Sequence, residues 1–180
     1  MTGEKTHISV RPATVDDAPA IASLHIRAWQ WAYRGQLPDA FLDDLSTALV
    51  RREQQWMQWL SQPGASFTSV AALDDRPVGF VHAGKARDAD LEPHTGEVYS
   101  IYLDSAVVGQ GVGRRLMSTA IAELSARGFQ TAVLWVLESN QRARRFYIAA
   151  GWAPDGKRQP LELDGTTVFE VRYRRRLSLA

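Results

Sequence analysis

Three glycines at alternate positions, Gly109, Gly111 and Gly113, stand between an extended run over residues 97–103 and a helical apolar stripe that begins at Val112. Residues without a Cβ let the chain bend tightly and bring bare N–H groups close to a ligand. A helix that starts there adds its unpaired amides and the positive end of its dipole. Strand, glycine-rich turn and helix start together form a cradle for an anion such as a phosphate or pyrophosphate. The plain alternative is a tight turn with no ligand. Spacing removes two nucleotide loops. The dinucleotide fingerprint needs a glycine where Arg114 stands, and a Walker loop needs a Lys-Ser/Thr pair where Arg114 and Arg115 stand.

The elements that must hold this turn can be read from periodicity. Residues 8–11 alternate like a short strand, and Thr14, Asp16 and Asp17 suit a helix start whose apolar face is Ile21, Leu24, His25, Ala28, Trp29 and Ala32. Phe41, Leu42 and Leu45 predict a short second helix, and residues 51–60 a third that carries Trp56, Trp59 and Leu60. Residues 67–73 and 78–83 flank Asp74, Asp75 and Arg76 as a hairpin, and residues 87–94 form a polar loop before the central strand. Val112, Leu116, Ala120 and Leu124 give the next helix one apolar stripe, with Gly128 placed to end it. Residues 131–136 read as a buried strand. Asn140 or Ser139 can cap the following helix, whose Ala143, Phe146, Tyr147 and Ala150 share a face. Residues 153–159 and 168–175 complete the chain as two strands around an Asp164-Gly165 turn. Arg172, Arg174, Arg175 and Arg176 alternate with Val171 and Tyr173, which predicts the solvated face of a last strand.

Val108 to Gly113 resembles the acyl-CoA loop of the GCN5-related N-acetyltransferase (GNAT) superfamily, Gln/Arg-x-x-Gly-x-Gly/Ala at a helix start. Gly111 and Gly113 match, while Val108 replaces the usual Gln or Arg. A second match follows in order: Asn140 after a strand, Ala143 three residues on, Tyr147 seven on, and a closing Gly151-Trp152 pair. The resemblance spans residues 14–175 and implies a single-domain α/β acyl-CoA N-acyltransferase fold, with a mixed, mostly antiparallel sheet, a central splayed strand pair and helices on both faces. It implies one domain over residues 1–180, with a core of about 8–176, a helical acceptor-side region at 14–62 and an acetyl-CoA-binding core at 97–152.

The chemistry implied is direct attack of an amine on acetyl-CoA in a ternary complex. A primary ammonium of pKa ~10.4 lies ~3.4 units from neutral at pH 7, so its deprotonation costs about 4.6 kcal/mol. By family position, Glu97 is the candidate base and Tyr147 the candidate acid for the departing thiolate; the alternatives are a solvated strand-end acid and a core aromatic. The resemblance assigns a polarising backbone N–H to Ile101, Tyr102 and Leu103. It assigns the acetyl-CoA cradle to Val108, Gly109, Gln110, Gly111, Val112, Gly113 and Arg114, with Asn140 both capping and touching the CoA arm. Trp29 and Tyr33, four apart on a helix, are candidates for the acceptor pocket or for core packing.

Composition narrows the rest. With 21 Lys and Arg against 20 Asp and Glu, a net charge of +1 draws the chain to neither nucleic acid nor membrane. The absence of cysteine excludes an acyl-cysteine route and disulfides. His25, His82 and His94 lack metal-ligand spacing, so no metal is expected. The start, Met1 to His7, has no apolar signal core, and no run is long enough to span a membrane, which predicts a cytoplasmic enzyme. The expected partners are an amine acceptor and, at most, a second copy of the chain. The acceptor stays open between a small-molecule amine and a protein N-terminus or lysine. A noncatalytic acyl-CoA sensor, admitted by Val108, is the rival, and an RNA-binding regulator using the arginine-rich end is a third reading.

Overall fold

The computed structural model describes residues 8–62, 64 and 66–178, so the polar start at residues 1–7 lies outside the described residues. In chain order the elements are β1 (Ile8–Pro12), α1 (Ala18–Ala32), α2 (Asp39–Asp44), α3 (Leu49–Ser61), β2 (Ser66–Leu73), β3 (Arg76–Lys85), β4 (Thr95–Leu103), α4 (Val112–Ala126), β5 (Thr131–Leu137), α5 (Gln141–Ala149), β6 (Ala153–Leu163) and β7 (Thr166–Arg176). The seven strands form one sheet in the order β1-β2-β3-β4-β5-β7-β6. Every neighbouring pair is antiparallel except β4 with β5.

Two hairpins follow from turn chemistry. Asp74 and Asp75 adopt positive φ between the paired Leu73 and Arg76, as Asp164 and Gly165 do between Leu163 and Thr166. Left-handed residues at both central positions match the twist of the strands they join. Successive strand residues then face opposite sides: Val70 and Phe80 pack under α1 and α3 around Trp56, while Ala71 and Val81 pack under α4 around Leu116, Met117 and Leu124. Helices therefore cover both faces. A third cluster joins Trp29, Tyr33, Leu37 and Leu42 to Leu137, Leu161 and Leu163, closing the end of the sheet where β6 and β7 project.

Two irregularities of β4 shape the centre. The register against β3 slips between His82 and Ala83, so that Tyr99 is an extra residue, a bulge. Its effect is a change of phase. Tyr99 packs on His82 and Tyr102 stacks on His25, so two residues three apart in sequence share the α1 and α3 face. Second, β4 and β5 pair only from Thr95 to Glu97 against Thr131 to Val133 and then splay.

The expectation of a solvated arginine face on the last strand is corrected at Arg172, which is only 3% exposed. Its guanidinium binds Asp155 at 2.7 Å, Asp88 at 2.8 Å and Asp90 at 2.9 and 3.0 Å. A buried arginine needs such partners because its charge has left water. Arg175, half-buried, turns to the other face and donates to the Ala150 carbonyl. Among the described residues no helix is long and apolar enough to cross a membrane.

Candidate active site

The splay of β4 from β5 opens a cleft of about 960 Å³ that runs from the α4 and α5 side of the sheet to the α1 side. Its backbone walls follow from the ladder. The Asp104 amide donates to the Val78 carbonyl. Alternation in an antiparallel pair then turns Tyr102 toward β3 and leaves Ile101 and Leu103 to present N–H and C=O groups to the gap. Among the described residues no strand meets them there.

At one end of the cleft, Gly109 and Gly111 both adopt φ of 83°, with open space where a Cβ would stand. Asp104 anchors the turn by accepting from the Ala106 amide at 3.1 Å. The amides of Gly111, Val112, Gly113 and Arg114 have no acceptor among the described residues, since the first helical bond runs from Arg115 to Gly111. Gly113 is packed closely: a Cβ there would come within 3.2 Å of Leu103 and 3.6 Å of Phe146. This concave row of free donors at a helix start fits an anionic group. Of the residues assigned to the cradle, Val108, Gly109, Gly111, Gly113 and Arg114 border the cleft, with Ile101, Tyr102, Leu103 and Asn140. Gln110 and Val112 do not border it. The Gln110 side chain closes the turn on the Ala106 carbonyl at 2.9 Å, and Val112 is buried in the core. Only their backbone can serve.

Asn140 caps α5, its Oδ1 accepting from the Ala143 amide at 3.1 Å, which leaves its NH₂ available. Two turns after Asn140, Tyr147 reaches the cleft. Its ring is buried, and among the described residues its hydroxyl makes no hydrogen bond. Burial, with the Tyr33 phenol nearby, pushes the Tyr147 phenol well above its ordinary range, so it holds its proton at neutral pH.

The far side is aromatic and acidic. Trp29 from α1 and Tyr33 at its C-cap border it, edge to face at 5.0 Å, and the Tyr33 and Tyr102 hydroxyls lie 3.1 Å apart. Glu97 sits at the root of the splay, 1% exposed. Arg87 grips both its oxygens, through Nη2 at 2.5 Å, Nε at 3.2 Å and its own backbone amide at 3.1 Å. Arg87 in turn lies over the Tyr99 ring at 4.6 Å. The loop carrying Arg87 is pinned from below, where Asp88 joins Arg172 and accepts from Trp135 Nε1 at 3.0 Å. At the mouth α1 meets α5: Arg142 lies 4.2 Å over Trp31, and Ser139 donates to Gln36 at 2.9 Å.

Sequence reasoning did not single out Arg87, Asp88 or Glu170 as site residues, yet all three border the cleft. Glu170 carried a signal, as an acid between Phe169 and Val171 in a strand. Burial pushes its carboxyl above the ordinary carboxylate range. Among the described residues no cluster of His, Asp or Glu could hold a metal ion.

A mixed sheet split at its parallel pair, with free amides at a glycine-rich helix start on one side of the split, defines an acyl-CoA N-acyltransferase. Residues 23–152 match the acetyltransferase (GNAT) family, and the chain belongs to it. It is similar to the uncharacterized N-acetyltransferase YuaI of Bacillus subtilis, 29% identical over 136 residues that cover 74% of this chain and 73% of the relative. It is also similar to the probable N-acetyltransferase Rv2775 of Mycobacterium tuberculosis, 27% identical over 171 residues and 94% of each chain. In fold it resembles the PaiA N-acetyltransferase of Thermoplasma acidophilum, solved in complex with coenzyme A, with a TM-score of 0.74 and 16% identity over 94% of this chain and 99% of that one. The protein is an acetyl-CoA-dependent N-acetyltransferase.

Proposed function

We propose that the chain transfers acetyl from acetyl-CoA to a small-molecule primary amine by direct attack in a ternary complex. The observation that carries this reading is the two-sided cleft, which has anion-binding amides at one end and an aromatic, acidic enclosure at the other. The diphosphate of acetyl-CoA meets the amides of Gly111 to Arg114, with Asn140 beside the arm. The thioester lies in the splay, where the Ile101 or Leu103 N–H stabilises the oxygen as it gains charge. Tyr147, held protonated, gives its proton to the departing thiolate. Glu97 has both oxygens taken by Arg87, and we assign it a positioning part: the pair fixes the loop that carries Arg87 at the root of the splay. Trp29 and Tyr33 flank the acceptor body. The enclosure formed by α1, α2 and the β6-β7 hairpin favours a small acceptor over an extended peptide.

The test is acetyl-CoA-dependent thiol release against polyamines, arylalkylamines, amino acids, aminoglycosides and N-terminal peptides, with Tyr147→Phe alongside. Turnover on a small amine is expected, with kcat lowered by about 10²-fold in the variant and coenzyme A affinity unchanged. Coenzyme A binding without turnover on any amine would make the chain a sensor. Turnover confined to peptides would move the acceptor to protein.

A further inference from the structure

Three carboxylates border the acceptor side of the cleft, and two are engaged. Glu97 is held by Arg87, and Asp88 by Arg172 and Trp135. Glu170 differs. It sits on β7 opposite Leu137, the last residue of β5, and opposite Gln159 of β6. Among the described residues its carboxylate accepts one hydrogen bond, from Gln159 Nε2 at 3.2 Å, and forms no ion pair. It shares the cleft wall with Trp29, Tyr33 and Leu161. A partly buried carboxylate with no cation of its own is costly to hold charged, and a cation arriving in the cleft relieves that cost.

We propose that Glu170 binds the acceptor ammonium and takes its proton, which makes it the catalytic base of the transfer. This rests on the acetyltransferase reading above. The balance is simple. R–NH₃⁺ gives one proton to the Glu170 carboxylate and becomes R–NH₂. The nitrogen lone pair forms the N–C bond as the carbonyl π pair moves onto oxygen. That pair then returns, the C–S bond breaks, and the thiolate takes the Tyr147 proton. Tyr147 recovers a proton from the acylated nitrogen, and Glu170 releases its own to solvent. One of the three ammonium hydrogens stays on the amide.

The groups facing Glu170 shape how it works. Burial raises its proton affinity most, Glu97 and Asp88 add to it, and Gln159 and Arg87 oppose it. The charge on Glu170 in turn helps to keep the Tyr33 and Tyr102 phenols protonated. A base whose pKa is raised toward the working pH takes a proton more effectively than an ordinary carboxylate. The surroundings also select the acceptor. Trp29, Tyr33, Leu161 and Leu163 offer an apolar body its place, while the Glu170 carboxylate, which has no ion pair of its own among the described residues, repels an anionic substituent. The class is therefore a primary amine on an aromatic or aliphatic body without a carboxylate. 2-Phenylethylamine should be preferred to phenylalanine, which has the same body with one carboxylate added.

The experiment measures pH profiles of kcat and kcat/KM for the parent, Glu170→Gln and Glu170→Asp on the amine that the parent acetylates fastest. Calorimetry of that amine with the acetyl-CoA-free protein runs in parallel. Glu170→Gln should lose about 10²-fold or more in kcat, and its rate should follow the deprotonation of the free amine. Amine binding should weaken about tenfold, with coenzyme A affinity unchanged. Glu170→Asp keeps the anion, so it should recover part of the rate with a displaced acidic limb, and it serves if the Gln variant does not fold. A Gln variant within threefold of the parent with the parent pH profile overturns the proposal while leaving the transferase intact, as does an Asp variant with an unmoved limb. A parent that binds coenzyme A yet acetylates no amine overturns the transferase reading and this proposal together.

Discussion

Lowering the pH from 7 to 5 should weaken the fold through two histidines that the catalytic chemistry does not use. His25 is buried against Tyr102, Phe80, Trp29 and Trp56, and His82 is buried between Trp59 and Tyr99. Burial pushes His25 from 6.5 down to about 3 and His82 down to about 4. Both are neutral in the folded chain at pH 5, whereas in the unfolded chain, with an ordinary pKa of ~6.5, both are protonated. The unfolded state therefore binds the extra protons, and stability falls as pH falls. Each ring contributes a loss of about 2 kcal/mol between pH 7 and 5, or about 4 kcal/mol together, at ~1.36 kcal/mol per unit. Two carboxylates bound this window. Asp17, held below its ordinary range by Arg11, loses its contribution only below about pH 4. Glu170, raised by burial, acts in the opposite sense and offsets part of the loss. With a urea slope of about 2 kcal/mol per M, the unfolding midpoint should drop by about 2 M. Urea titrations by tryptophan fluorescence at pH 7 and 5, on the parent and on His25→Phe, would read this directly. The variant fills the same aromatic slot and should show about half the drop. A parent midpoint that moves by less than about 0.5 M, or a variant whose drop equals the parent's, would refute the reasoning.

Other perturbations separate the remaining parts. Gly111→Ala places a Cβ at φ of 83°, which costs about 1–2 kcal/mol of backbone strain and should weaken coenzyme A binding about tenfold in calorimetry. Gly35→Ala, at φ of 76° outside the cleft, should show the strain without the binding loss. Arg172→Met leaves Asp88, Asp90 and Asp155 without their shared guanidinium and should cost about 3 kcal/mol by urea unfolding, with faster amide exchange over residues 86–94.

Much of this architecture was legible because it is local. Asp-Asp and Asp-Gly between apolar runs mark two-residue hairpins, and Gly109, Gly111 and Gly128 sit where the chain does turn left-handed. Asn140 was readable as a cap because its oxygen reaches an amide only three residues on. The unread parts depend on distant pairing. No feature of residues 97–103 announces the Tyr99 bulge, which exists only as a slip against β3. Alternation on the last strand predicted Arg172 in water, because its three acids lie on other segments, two of them more than eighty residues away in sequence. Glu170 escaped notice for the same reason, since the cleft it faces is made by α1, β4 and β6 as much as by its own strand.

The splay has a consequence for how this chain avoids its neighbours. Where β4 and β5 part, each becomes an edge, and an exposed edge is a template on which a foreign strand can grow. Here both edges lie inside the molecule, recessed between α4 and α5 on one face and α1 on the other, with the Trp31-Arg142 contact across the mouth. A foreign strand would have to enter that recess with side chains on both of its faces, which the flanking helices oppose. Covering an opened edge with helices is one way a sheet is kept from pairing with another chain, so the split makes a cleft while its edges stay screened from aggregation partners.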